Sequence, residues 1–597
     1  MRIRGQDWAI VACFVTVFHI VGTALVRYYY GYHIAHYDSV GGLIQGVQTL
    51  QAYHENGYMA GLASGWEKAP LSITQNMFAA LLAPYLDPDP QGLQLYNTLA
   101  FAAAATSMMV LLRRFGVGIP AIMLGMAALL LGDALYWWDL GVFDFRRDFA
   151  MYCLISSMLM LGGAYLAGPQ KLSGEIRLGL AFGVVTGLTL ICRDSAPLLM
   201  MGVAIVPLAA FWVYGGFSDG WMPQLRKAIW PLVGFVPFAI VFFLKLSQLL
   251  DRVANPLVMF GIDADGPNTL ISNARRIPDT LLGLFEYPFN RAPWISSALV
   301  LLMIAGLGYL CFRAWRAASA NAAAAETPAP EASEAAGDEA AAARARTRIV
   351  LFLLGTAVWV PVFLHIFFSG ILKWAADLPP IVAMAPYLLT LAGVSALVAA
   401  GIIFSSRQFS TRTGKAIAFA LVAAIAVAAP ARALSRLIGY PPGTYEAHVD
   451  LARLSSNSGG PAVVATLTDR SELMRTPAIQ LMALQRGLPM LQQLRVQTHE
   501  GESIDFQIGI PGDPTLRASI LDAMDKALRC NADYIVASRE PGFYAREGDR
   551  LLIYAHGAEM IGGIVADLSD HVVRALDAEN TTVLIDNRQR TTCPAAQ

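Results

Sequence analysis

The sequence predicts a polytopic α-helical membrane protein of about eleven transmembrane helices, followed by a soluble α/β domain. Three observations predict it. Of the 597 residues 56% are hydrophobic and only 15% charged, against roughly a quarter charged in a soluble domain. The apolar residues gather in runs long enough to cross a bilayer, which takes about 20 residues. Beyond Gly439 those runs stop and the composition becomes that of a soluble protein. With 43 basic and 44 acidic residues the net charge is −1, so no basic field recruits nucleic acid.

The runs lie at 8–26, 93–112, 119–136, 149–166, 178–191, 196–214, 228–249, 295–312, 349–368, 378–404 and 416–434. The stretch 71–85 is apolar but short, carries Gln75 and Asn76, and ends at Asp87-Pro88-Asp89-Pro90. It reads as a helix lying at the membrane surface. Arg2, Arg4, Arg113, Arg114, Lys171, Arg177, Arg226, Lys227, Arg313, Arg316, Arg407, Arg412 and Lys415 then fall on one side. By the positive-inside rule that side is the cytoplasm, with the N-terminus inside and the C-terminus outside. The first run is followed by Arg27 and tyrosines, without an A-x-A-like site, and reads as an uncleaved anchor.

Between the runs, an outer loop over 27–92 is rich in Tyr, His, Gly and acids and contains the interfacial stretch. A second outer loop, 250–294, holds Asp263, Asp265, Arg275, Arg276 and Arg291. The cytoplasmic loop 317–346 is an Ala/Glu/Pro run of low complexity and reads as a tether. In the C-terminal part, 436–597, buried strands are expected at 462–467, 534–538, 551–554 and 582–585, and helices at 477–486 and 514–529.

Cys13, Cys153, Cys192 and Cys311 sit in apolar runs, where a thiol is a small hydrophobe. Cys530 and Cys593 lie in the polar C-terminal stretch and can form a disulfide if it is extracytoplasmic; two free thiols are the alternative. No cysteine or histidine spacing of a zinc site appears.

Chemistry-bearing residues gather at the outer mouth. The segment 33–39 reads His-Ile-Ala-His-Tyr-Asp-Ser, and Asp38, next to a span, has the character of a general base. Trp66-Glu67-Lys68-Ala69-Pro70-Leu71 sets a cation beside the interfacial stretch, where a lysine pairs with lipid phosphate. Asp144, Arg146, Arg147 and Asp148 enter the run at 149. Taken singly, such acids are more often helix caps, and such arginines snorkelling anchors.

Their order along the chain resembles the GT-C superfamily of membrane glycosyltransferases, and within it the aminoarabinose-to-lipid A transferases and protein O-mannosyltransferase-like enzymes. Asp38 matches the family's first acidic motif, Lys68 with Pro70-Leu71 its K/H-P-P-L motif, and Asp148 with Arg146 or Arg147 its Arg…Asp motif. Weaker echoes lie at Gly183 to Pro197, with Arg193, and from Lys373 through Pro386-Tyr387-Leu388. Ser39 stands where the family has Glu, and Ala69 replaces the first Pro. The resemblance covers roughly 1–435, making that part a GT-C-like catalytic domain and 436–597 a periplasmic accessory domain.

The resemblance implies an inverting transferase of the bacterial inner membrane, working on its periplasmic face. It would pass a sugar from a polyprenyl-phosphate donor to a glycan, lipid or protein acceptor. Asp38 and Asp148 would be catalytic; Lys68, Arg146, Arg147, Arg193, Arg291 and Lys373 would bind the donor phosphate. His33, His36 and Glu67, with His54 and Glu55 nearby, are candidates for a divalent cation, although interfacial histidines commonly only hydrogen-bond. The Tyr28–Tyr32 cluster is an aromatic belt or a sugar platform. His19, His365 and Lys245, inside or at the end of apolar runs, are functional polar groups or interior hydrogen-bonders. The rival readings are a ligase or polymerase of lipid-linked glycans, a lipid or solute transporter, and a non-catalytic scaffold.

Overall fold

In the computed structural model the described residues are 5–32, 37–67, 73–114, 145, 148–167, 172–193 and 196–253 in the N-terminal part. Isolated positions follow at 119, 122–123, 348–349, 352, 355–356, 359, 416 and 420. In the C-terminal part they are 463–467, 492–493, 495–497, 503–505, 529–538, 572–575 and 582–588. The chain divides into two units, Met1–Val26 with Gln45–Arg436, and Arg27–Ile44 with Leu437–Gln597.

The helices are α1 (Gly5–Tyr32), α2 (Tyr37–Asn56), α3 (Tyr58–Glu67), α4 (Ile73–Leu82), α5 (Pro90–Arg114), α6 (Asp148–Leu166), α7 (Leu172–Leu190), α8 (Ala196–Met200), α9 (Val206–Asp219) and α10 (Trp221–Val253). Among the described residues, Gly5–Arg27, Pro90–Arg114, Phe149–Leu166 and Trp221–Leu246 are long and apolar enough to cross a membrane. They coincide with four of the expected runs. The runs at 178–191 and 196–214 are helical within α7 and within α8 and α9. Those at 119–136, 295–312, 349–368, 378–404 and 416–434 fall wholly or mostly outside the described residues, as does the tether at 317–346.

Apolar side chains explain the contact of the first spans. Phe18 of α1 stacks on Phe101 of α5 with ring centroids 4.1 Å apart and faces Phe149 of α6 at 5.8 Å. Charges close the helix ends. Asp7, at the start of α1, is buried and paired with Arg113, at the end of α5. Glu175, near the start of α7, lies 3.7 Å from Arg226 near the start of α10, and Lys227 donates to the Leu166 carbonyl at 3.3 Å. Asp219, closing α9, pairs with Arg348. Arg113, Arg226 and Lys227, expected on one side, therefore all engage helix ends expected on that same side.

Small residues bring α7 and α10 together. Gly179, Gly183 and Gly187 recur every four residues and so share a face. A Cβ on Gly183 would collide with the Pro231 carbonyl, and one on Gly187 with the Phe238 ring. On the facing helix, a Cβ on Gly234 would meet the Leu180 carbonyl. Such a stripe lets two helices approach closely in a membrane, where burying apolar side chains gives no advantage over lipid. Between α8 and α9 the residues Met201–Ile205 form a π turn. The Trp359 indole N–H donates to the Gly202 carbonyl there at 2.7 Å.

In the second unit the described strands are β1 (Val463–Leu467), β2 (Gln492–Gln493), β3 (Arg495–Gln497), β4 (Ser503–Asp505), β5 (Tyr534–Ser538), β6 (Val572–Ala575) and β7 (Thr582–Asp586). Five form a mixed sheet in the order β2-β1-β5-β7-β6, and β3 pairs with β4 in a separate antiparallel ladder. β1 runs parallel to β2 and β5, with Val464 opposite Tyr534, while β7 is antiparallel to β5 and β6. The expected strands at 462–467, 534–538 and 582–585 are these; 551–554 and the helix expected at 477–486 lie outside the described residues, as does the helix expected at 514–529 apart from Arg529. A polar turn fixes β5. Asp533 Oδ2 accepts from the Val463 amide at 2.8 Å, and the buried Asn587 donates to the carbonyls of Arg529 and Ala532 at 3.1 and 3.0 Å.

Candidate functional site

The lysine motif belongs to the connection of a helical hairpin. α3 and α4 pack so tightly that a Cβ on Gly65 would sit 3.0 Å from the Asn76 carbonyl. Residues 68–72 join them, and Lys68 follows directly on Glu67, the last residue of α3. Lys68 itself lies outside the described residues. Glu67 is exposed and Trp66 half-buried.

Both stems of the hairpin are fixed from outside. Thr74, at the start of α4, hydrogen-bonds Tyr96 of α5 at 2.7 Å. Asn76 donates to Gln45 Oε1 of α2 at 3.4 Å. At the other stem Lys245, 24 residues into α10, donates its ammonium to the Trp66 carbonyl at 2.8 Å and lies 4.4 Å from the centre of the Trp66 ring. Lys245 is buried, with 3% of its surface exposed.

α4 is too short to span, as expected, and its polar residues turn into the bundle. Gln75 and Asn76 are fully buried, and the exposed side chains among the described residues of this stretch are Leu81, Pro84 and Tyr85. The physical reason is tertiary: α2 and α5 offer polar partners inside the bundle, where Gln94, Asn97 and Thr98 are buried as well. Asn76 Oδ1 and Gln94 Nε2 have no hydrogen-bond partner among the described residues, so one acceptor and one donor are left for water or a ligand.

A hydrogen-bonded chain continues across the bundle. The Tyr96 hydroxyl also contacts Cys192 Sγ at 3.4 Å, next to Arg193 in the turn after α7. Arg193 is half-buried, and its carbonyl accepts from the Ala196 amide at 3.0 Å. The start of α4 and the turn after α7 are thereby tied to one another through Tyr96 of α5.

Of the catalytic candidates, Asp38 lies in the first turn of α2 and Asp148 opens α6; only their backbones are described. An acid at a helix start is also favoured by the helix dipole, which is the structural role beside the catalytic one. Arg146, Arg147, Arg291, Lys373, His33, His36 and His365 lie outside the described residues. His54 Nε2 donates to the Leu86 carbonyl at 3.2 Å, which ties the end of α2 to the turn before α5. His19 Nδ1 lies 3.0 Å from Thr98 Oγ1, whose own proton goes to the Gln94 carbonyl at 3.1 Å. The ring is therefore the donor, an interior hydrogen bond. Among the described residues no three His, Cys, Asp or Glu stand together as a metal site would need.

Cys530 is disulfide-bonded, while Cys593 lies outside the described residues. Cys13, Cys153 and Cys192 are free thiols. In the same unit Tyr534 is fully buried, and that burial raises its phenol above the ordinary tyrosine range, with Arg588 opposing.

No family model matches the sequence, and no curated protein matches it. Solved structures do match in fold. ArnT from Cupriavidus metallidurans bound to undecaprenyl phosphate superposes with a TM-score of 0.52 over 100% of both chains, at 13% sequence identity. The apo structure of the same protein gives 0.52 over 98% of this chain and 99% of that one, at 12% identity. The likeness shows the fold, which this chain shares with those structures. The likeness to ArnT runs over the whole length of the chain, where the motif resemblance reached only about residue 435.

Proposed function

We propose that the chain is an inverting GT-C-type glycosyltransferase that moves a sugar from a polyprenyl-phosphate donor to an acceptor on the periplasmic face of the bacterial inner membrane. The observation that carries this reading is the full-length likeness to a structure bound to undecaprenyl phosphate. The outer-mouth motifs occur in the order such a fold needs. The acceptor is a hydroxyl of a glycan, lipid or protein.

In this reading residues 1–435 are catalytic and 436–597 are an accessory periplasmic domain. The Asp38 carboxylate takes the acceptor proton as the hydroxyl oxygen attacks the anomeric carbon. The bond from that carbon to the phosphate oxygen breaks with inversion, and the polyprenyl phosphate leaves with the electron pair. Lys68, with Arg146, Arg147, Arg193, Arg291 and Lys373, neutralises the charge developing on that phosphate. Asp148 orients the acceptor. The cytoplasmic N-terminus rests on the basic helix ends, which engage one another through Asp7, Glu175 and Asp219.

The test is sugar transfer in membranes from radiolabelled polyprenyl-phosphate monosaccharides, wild type against Asp38→Asn at matched expression. The expected loss is roughly a hundred- to ten-thousand-fold, the range of a general base. Undiminished transfer moves the base elsewhere, with Asp148 next. Absence of transfer by the wild type from every donor returns the question to the ligase and the transporter.

A further inference from the structure

The helix ends joined through Glu175 and Asp219 carry more positive than negative charge. Lys227 of α10 stands within electrostatic reach of Asp219, Arg348, Glu175 and Arg114, the last residue of α5. Asp219 is matched by Arg348, and Glu175 by the exposed Arg226. Among the described residues no carboxylate remains for Arg114 or Lys227. Both are half-buried, and Lys227 uses one of its three donors on the Leu166 carbonyl. Arg114 Nη2 is enclosed with no hydrogen-bond partner among the described residues. One turn before Lys227 on α10, Gln224 is buried with both ends of its amide unbonded among the described residues. Two half-buried cations held near each other without an acid repel, and they are costly to keep out of water unless an anion from outside the chain bridges them.

The surroundings identify the class of that anion. Phe217 of α9, with 78% of its surface exposed, meets the Trp221 ring edge-on at 5.6 Å, and Trp221 meets Trp212 in the same way at 5.6 Å. Met222 beside them is exposed as well. An exposed apolar wall next to two unmatched cations, at the ends of membrane helices, suits a molecule with a phosphate head and acyl chains. A free phosphate would leave the wall bare. We propose that this corner of the first unit is a binding site for an anionic phospholipid, whose phosphodiester bridges Arg114 and Lys227 and whose chains lie on Phe217, Trp221 and Met222. None of the residues assigned to catalysis or donor binding takes part. The bound head ties the end of α5 to the start of α10, which no ion pair among the described residues does.

The experiment measures lipid binding to the purified, delipidated full chain in micelles by native mass spectrometry. Wild type, Arg114→Gln, Lys227→Gln and their double variant are titrated with phosphatidylglycerol. Arg177→Gln, at an exposed arginine of α7, is the control of equal charge change. Phosphatidylcholine, whose head carries a compensating cation, and inorganic phosphate are the comparison ligands. Arg114→Gln and Lys227→Gln should each weaken phosphatidylglycerol binding about five-fold, the effect of one basic side chain at a lipid phosphate, and the double variant more than either. Arg177→Gln, screened by solvent, should change it less than about two-fold. Phosphatidylcholine should bind more weakly, and inorganic phosphate should not displace phosphatidylglycerol. Equal binding by wild type and both single variants overturns the site, and so does an equal loss in Arg177→Gln, which would reduce it to general surface charge. Phosphatidylcholine bound as tightly as phosphatidylglycerol overturns the role of the two cations. Displacement by inorganic phosphate overturns the lipid and assigns a free phosphate instead. If Arg114→Gln or Lys227→Gln does not fold, Phe217→Glu decides: at a side chain 78% exposed it sets a carboxylate beside the seat, and unchanged phosphatidylglycerol binding there overturns the inference.

Discussion

Pro231 in α10 has no N–H, so the Lys227 carbonyl four residues earlier loses its helical partner. The Tyr165 hydroxyl of α6 replaces it, donating to Lys227 O at 3.0 Å from a fully buried ring. A backbone carbonyl freed beside buried side chains needs such a replacement partner. Tyr165→Phe is therefore expected to cost about 1–2 kcal/mol, the penalty of an unmet buried acceptor, read as a lower thermal midpoint of the detergent-solubilised protein. In a Pro231→Ala background the missing amide returns and Tyr165→Phe should cost much less. An equal loss in both backgrounds would sever the connection between the tyrosine and the proline. His19 obeys the same rule through Thr98, and the sequence alone left it open because its partner lies 79 residues away.

The glycine stripe of α7 works at the scale of whole elements. Gly183 faces the Pro231 carbonyl and Gly187 the Phe238 ring, so any larger residue pushes α7 from α10 along their shared length. Gly183→Leu should lower the unfolding midpoint strongly, by more than the 1–3 kcal/mol or so typical of overpacking, because backbone and not a flexible side chain stands in the way. Gly5→Ala, whose added Cβ meets nothing within 4 Å, is the control and should be neutral or slightly stabilising. An equal response at both positions would mean that propensity and not packing sets the effect. What was legible among the elements follows from this physics. α1, α5, α6 and α10 declare themselves by length and apolarity, which need no partner to be read. The inward turn of α4 does not, because whether Gln75 and Asn76 face headgroups or a bundle interior depends on Gln45 and Tyr96, elements away in sequence. The Lys245 contact is of the same kind: the lysine stood out within its apolar run, but nothing local pointed to Trp66.

At the scale of the molecule the resemblance to the aminoarabinose transferases was readable in the order of the outer-mouth motifs, and ArnT structures share this chain's fold. The C-terminal domain was readable only as α/β, since short buried strands such as 463–467 and 534–538 do not say that β7 inserts antiparallel between β5 and β6. Its cysteines carry the compartment argument. A disulfide persists on the oxidising side of the membrane, and Cys530 is disulfide-bonded. If its partner is Cys593 and the domain is periplasmic, Cys593→Ser should release one thiol. A membrane-impermeant maleimide should then label intact spheroplasts of Cys593→Ser beyond the wild-type level. The added label should vanish in Cys530→Ser/Cys593→Ser. Cys13, Cys153 and Cys192 sit in membrane helices or buried turns and are shielded from a hydrophilic reagent. Label that appears only after lysis would put the domain in the cytoplasm and invert the topology, and with it the face on which Lys68 works. No added label in Cys593→Ser under either condition would assign Cys530 a different partner.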